Sequence, residues 1–433
     1  MIFIYREYKS NRLSHALKVI FQQVLQVPFK EVDLTEFDAI KGEPKINYSS
    51  KTSTDCLSIA PHPLLFENDI RIQDLLVEWQ DNIPYFFRTS KNSNFPFDLF
   101  AAAFFMTSRY EEYLSTSLDK HNRFTAENSV AFQNNFLELP VVHLWAQELK
   151  AALLKTNPKY SFPTLEYKYL NSFDIDSAYA FKGKGFARIS GGFLKALLQG
   201  NTSEIKKRIH YFLSQKDPYD TYEVIRKIQK KYPTKNAYFF LLGDRAQFDK
   251  NLSPRSRTLQ KLIQSLQKNN LIGIHPSYQS HSKKEKIGIE KTRLEKITNK
   301  TIERSRQHFL KLDFPTTYEN LISNAVKEDF TMGFASQIGF RAGICAAYPF
   351  FNLHENKERP LWIHPFQIMD GTLNHYLRLS PEQAISKIEK IVAQTKAVNG
   401  TFVSLWHNSS LSEQGEWKDW TEVYKKLVKI AQK

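Results

Sequence analysis

Leu165-Glu166-Tyr167-Lys168-Tyr169-Leu170-Asn171-Ser172-Phe173-Asp174-Ile175-Asp176 reads as a strand over 165–174 that runs out into two carboxylates. A spacing of two puts Asp174 and Asp176 on the same side if extended geometry persists. One of them can then hold a divalent metal while the other accepts a proton from water. Taken alone, the pair reads first as a strand end capped by Asp, which is common at such positions. Its weight comes from three other fragments that also end strands in reactive side chains. They are Gly273-Ile274-His275-Pro276-Ser277, Gly339-Phe340-Arg341-Ala342-Gly343 and Val403-Ser404-Leu405-Trp406-His407. Parallel strands closed into a barrel gather their C-terminal ends at one mouth, so residues far apart in sequence meet there.

Outward from this strand, strand and helix patterns alternate, the mark of a parallel sheet. Strands are expected at 165–174, 236–242, 271–275, 308–312, 329–332, 361–368 and 401–406, with helices at 219–231, 257–269, 284–306, 316–326, 381–397 and 417–431. Seven such strands predict an α/β fold with a (β/α)7-type irregular barrel, an open doubly wound sheet being the alternative. Two prolines and polar residues in Lys155-Thr156-Asn157-Pro158-Lys159-Tyr160-Ser161-Phe162-Pro163 mark a boundary. Residues 1–160 are thus expected to form a smaller N-terminal α/β domain and 161–433 the barrel. In the first part, Leu13, Ala16, Leu17, Ile20, Phe21 and Val24 share one helix face. A second helix is expected from Phe97 to Leu114, with Arg109, Glu111 and Glu112 near its end.

At 433 residues the chain is long enough for two domains, and 42% hydrophobic with 24% charged residues is ordinary for a globular protein. No apolar run approaches the ~20 residues that span a bilayer. Met1-Ile2-Phe3-Ile4-Tyr5 reads as a first strand, with no basic region ahead of it. The two cysteines, Cys56 and Cys345, exclude a disulfide framework. Together these features predict a cytoplasmic protein. The net charge of +15 comes without a helix-turn-helix, zinc finger or arginine-rich arm, so no specific nucleic-acid partner is expected. An acidic glycan, a nucleotide-linked sugar or peripheral contact with an anionic membrane suits the charge as well.

His275 ends its strand, and Pro276 turns the chain out of the sheet. A neutral imidazole there is a good zinc ligand, although a lone strand His is more often a structural hydrogen bonder. Arg341 could orient the base by a bidentate contact, and Asp370 could anchor Arg341 or cap a helix. His407, at the end of the last strand, suits a general acid for a leaving amine. His308 is a weaker candidate, because its position could start a strand on the far side of the barrel.

These residues, in this order, resemble the NodB-homology polysaccharide deacetylases of carbohydrate esterase type, over about 165–430. More narrowly they are similar to the divergent branch with an extra N-terminal domain in Bacteroidetes. The resemblance implies a (β/α)7 barrel, with Asp174 as catalytic base, Asp176 and His275 as metal ligands, and Arg341 orienting the base with support from Asp370. It also implies His407 of Leu405-Trp406-His407 as general acid. Where the family has a second metal His, four residues after the first, this chain has Gln279, a weaker ligand; Gly343 stands where a Pro is usual. Tyr278, Trp406 and His308 are the expected substrate contacts. The implied activity is metal-dependent removal of acetyl groups from N-acetylated sugars, with zinc the expected ion. A glycan-binding protein that has lost the metal is the alternative.

Overall fold

The computed structural model describes residues 1–51, 56–89, 93–184, 190–191, 194, 196–200, 202–214 and 216–432. The chain opens with four parallel strands in the order Phe29–Val32, Ile2–Arg6, Lys45–Tyr48 and Leu57–Ile59. Period-two alternation sends Ile2 and Ile4 into the main core, while Phe3 and Tyr5 face Val32 and Phe37 on the other side. The helix Asn11–Leu17, continued as a π-helix over Lys18–Val24, buries the expected apolar face. Ser10 caps it by accepting from the Arg12 and Leu13 amides. The helix expected over 97–114 is in fact two, Leu99–Thr107 and Tyr110–Leu114. Arg109 stands between them in the left-handed region, φ 54°.

Among the described residues the larger sheet has nine strands, in the order Tyr348–Asn352, Lys357–Ile363, Glu328–Asp329, Arg304–Ser305, Leu271–Ile274, Lys235–Phe240, Lys168–Ile175, Thr401–His407 and Ile368–Met369. All pairings are parallel except that of the first two strands. The α/β class and the parallel strands agree with the sequence reading. A closed barrel does not: among the described residues no ladder joins the two ends of this row. Instead, residues 364–367 carry the chain from Lys357–Ile363, second in the row, to Ile368–Met369 at its far end. The His364 amide donates to the Asp329 carbonyl and that of Gln367 to the Val403 carbonyl, which curves the sheet without pairing its edges.

Two expected elements are displaced. The strand placed at 308–312 is the two-residue Arg304–Ser305, and the helix before it ends at Thr298. Residues from both halves of the chain share one apolar core, in which Phe104, Trp145, Phe340 and Phe351 are all buried. Phe340 donates its amide to the Leu137 carbonyl, and a Cβ at Gly339 (φ 122°) would collide with that same carbonyl. Glycine is what permits this contact. No described helix is long and apolar enough to cross a membrane.

Candidate metal centre

Strands Lys168–Ile175, Leu271–Ile274, Arg304–Ser305 and Thr401–His407 end at the same edge of the sheet, and their C-terminal residues meet. The ladder sets His407 beside Asp174. Asp176, His275 and His308 bring carboxylate and imidazole donor atoms within 4.8 Å of one another. Ligands ~2.1 Å from one ion lie ~3–4 Å apart, so a small adjustment would suffice for a cation.

The hydrogen bonds decide which ring nitrogens face inward. His275 Nδ1 meets the Arg306 carbonyl, which can only accept, so this nitrogen carries the proton. His308 Nδ1 donates to Asp249 at 2.9 Å, and His407 Nδ1 donates to Asp370 at 2.8 Å. Each ring therefore turns Nε2 toward Asp176, at 3.1 Å for His275, 3.7 Å for His308 and 3.8 Å for His407. Oδ1 of Asp176 is buried and, among the described residues, has no hydrogen-bond donor. A carboxylate oxygen and an imidazole lone pair this close repel each other unless a proton or a cation lies between them. The donor set of one carboxylate and two imidazoles, each backed by a carbonyl or carboxylate, fits a divalent ion such as zinc.

Electrostatics give the same picture. Burial opposes ionisation of Asp176, but His308, His275 and His407 outweigh it and hold the carboxyl well below its usual range. Burial would lower His308, yet Asp176 and Asp249 push it up to about 9. His407 is likewise raised to about 10, with Asp370 and then Asp176 overcoming burial. The carboxylates therefore favour the protonated form of His308 and His407.

Asp174 is buried, and its partner is Arg306, whose Nη1 donates to Oδ1 at 2.9 Å. Arg306 is fully buried and also donates to the Phe330 carbonyl and to Ser172 Oγ, with Phe239 beneath its guanidinium. The expected contact between Arg341 and Asp174 is not made. Arg341 instead forms a buried bidentate pair with Glu112 and donates to the Gly333 carbonyl. Asp370 accordingly does not anchor Arg341; it accepts from both the backbone amide and the ring of His407.

Three further expectations are revised. Gln279 lies in the turn Tyr278–His281 and is not part of the cluster, whose second imidazole is that of His308. His308 sits beyond the C-terminal end of strand Arg304–Ser305, at the mouth and not on the far side. Trp406 is fully buried against Trp420 and Tyr424, because alternation along 401–407 sends it outward while Leu405 points inward. It is a core residue, not a substrate contact. Tyr278 packs with Phe248, Phe309 and His121, and Lys311 lies over its ring. Beside this aromatic wall is a cavity of about 510 Å³ lined by His121, Arg123, Leu310, Phe334 and Tyr376. The roles of Arg306 and Asp249, and the pairing of Glu112 with Arg341, were not foreseen from the sequence. Only Arg306 gave a signal, being two residues before His308 as Asp174 is before Asp176.

Residues 2–158 match the model of a family of unknown function, DUF7033. No curated protein matches the chain. Among solved structures, one described as "Crystal structure of putative polysaccharide deacetylase from Mycobacterium smegmatis" is similar at 11% identity and a TM-score of 0.39, covering 62% of this chain and 86% of that one.

Proposed function

We propose that this protein is a metal-dependent hydrolase that removes acetyl groups from N-acetylated sugars. The observation that carries the reading is the convergence of Asp176, His275 and His308, with Asp174 and His407 alongside. Asp176, His275 and His308 would hold a divalent ion, which would supply Lewis acidity toward an amide carbonyl and toward water. Asp174, fixed by Arg306, takes up the proton of the attacking water. His407, oriented and kept protonated by Asp370, gives its Nε2 proton to the departing amine nitrogen. The choice of an N-acetylated sugar rests on the order and type of the motif residues. The rival reading of a glycan binder without metal leaned on Gln279, and His308 removes that support.

The test has two parts. Metal analysis of the purified protein should find close to one equivalent of a divalent ion, lost in His275→Ala. Acetate release should be measured on N-acetylglucosamine oligomers and on nucleotide-linked N-acetyl sugars. Metal bound without acetate from any of them would overturn the substrate class. Absence of metal under conditions where the chain is folded would overturn the hydrolase.

A further inference from the structure

The small N-terminal sheet has the strand order in which ligands are held by open α/β sheets. From Ile2–Arg6 the chain crosses one way to Phe29–Val32, and from Lys45–Tyr48 the other way to Leu57–Ile59. The two central strands are adjacent, so the connections diverge between them and leave a crevice at their C-terminal ends. A cavity of about 1060 Å³ lies there, lined by residues that follow those ends: Glu7 to Asn11 after the first strand, Ser50 after Lys45–Tyr48, and Pro61 after Leu57–Ile59.

The walls are tied in place. Arg12 is fully buried and donates to the Leu64 and Asp69 carbonyls and to Asn356 Oδ1. Asn356, at the turn between Tyr348–Asn352 and Lys357–Ile363, also donates to Asn68. The crevice is therefore closed on one side by the larger sheet.

Its lining selects a ligand. Among the described residues two carboxylates, Glu7 and Glu67, balance two cations, Lys9 and Arg71. A phosphate-bearing ligand calls for net positive charge, and for a glycine turn that lets the backbone approach it. Glu7-Tyr8-Lys9-Ser10 has no glycine. What the crevice offers is hydrogen-bonding groups of both kinds around an aromatic platform. Tyr8 is 63% exposed and meets Phe66 edge-on at 6.0 Å. A sugar ring presents an apolar face to such a platform and hydroxyls to the rim. We infer that this crevice binds a neutral oligosaccharide, at a site separate from the metal centre and independent of the hydrolase reading.

The test screens the full-length chain on an array of neutral oligosaccharides and titrates the best binder by calorimetry. The His308→Ala protein is titrated in parallel, so that failure of the catalytic reading does not confuse the result. Binding should persist in His308→Ala and weaken at least tenfold in Tyr8→Ala, a change at an exposed ring that leaves the fold intact. Ser50→Trp, which fills the crevice, should act likewise. If His308→Ala binds no array member, or if Tyr8→Ala and Ser50→Trp both bind as tightly as the parent, the site is refuted. Saturable binding of ATP or inorganic phosphate that Tyr8→Ala abolishes would refute the ligand class.

Discussion

Replacing Arg306 by Met separates the pairing seen here from the one the sequence suggested. The guanidinium is fully buried and bonded to a buried Asp174, with N···O 2.9 Å. Charge centres ~4 Å apart attract by about 4 kcal/mol at an effective dielectric of 20. Removing one partner of such a pair costs about 3–5 kcal/mol, because the other charge stays buried alone. Arg306→Met also strands the Phe330 carbonyl, so its single-mutant cost exceeds the worth of the pair. A double-mutant cycle removes that excess. With Asp174→Asn as the second change, denaturant unfolding should give a coupling of about 2–3 kcal/mol, the upper part of the range for residues in contact. Arg341→Met should cost less alone, since Glu112 keeps Arg109 as a buried partner. With Asp174→Asn, however, it should be additive within about 0.5 kcal/mol, and with Glu112→Gln it should couple. Coupling of Arg341 to Asp174, or none between Arg306 and Asp174, would refute the assignment.

His308→Ala should abolish tight binding of a divalent ion in calorimetry, and Gln279→His added to it should not restore binding. Because a ligating imidazole must be neutral and His308 is raised to about 9, metal binding should release a proton and tighten as pH rises from 6 to 9, visible as a buffer-dependent heat. His407→Ala should lower acetate release by ~10²–10⁴-fold, the usual contribution of a positioned acid. Asp370→Asn should lower it by a smaller factor, through disorientation of the ring. Glu290, buried beneath the Ser277 amide it accepts from, is pushed up from 4.5 to about 7 by burial. A raised carboxyl leaves stability undiminished below 4.5 and lowers it as pH climbs to 7, by on the order of 3 kcal/mol. Glu290→Gln should flatten that slope in denaturation midpoints measured from pH 4.5 to 8; an unchanged slope would place the ionisation elsewhere.

Asp174, Asp176, His275 and His407 could be picked out of the sequence because each ends an apolar, period-two run, and parallel strands bring such ends together. His308 was misplaced for the same reason in reverse. Its strand is two polar residues, Arg304–Ser305, with no alternation to announce it. The apolar Phe309 and Leu310 drew the strand downstream, yet both have positive φ, 60° and 54°, and belong to a tight turn. Shifting the strand by four residues moved His308 from beyond its end to its beginning, and so across the molecule. The partner of Arg341 was illegible for another reason: Glu112 lies 229 positions away, and no local pattern distinguishes it from Asp174. Closure of the sheet was unreadable too, because a count of strands does not say whether the first and last pair.

The Arg341–Glu112 pair also bears on how the N-terminal residues relate to the candidate metal centre. Glu112 accepts from Arg109 as well, and Arg109 in turn donates to the Arg341 carbonyl. Two guanidiniums thus share one buried carboxylate, an arrangement that holds only while both halves of the chain are packed together. The same N-terminal stretch reaches the mouth of the larger sheet. Arg123 donates to the Phe309 carbonyl at 2.7 Å, one residue from His308, and His121 lies 3.2 Å from the Tyr278 hydroxyl. The wall next to the Asp-His-His cluster is therefore built from residues 119–124 as much as from the sheet's own loops. Whatever enters the cavity beside that wall meets side chains that the larger sheet does not supply. Selection of a ligand at the candidate metal centre is then a property of the whole chain.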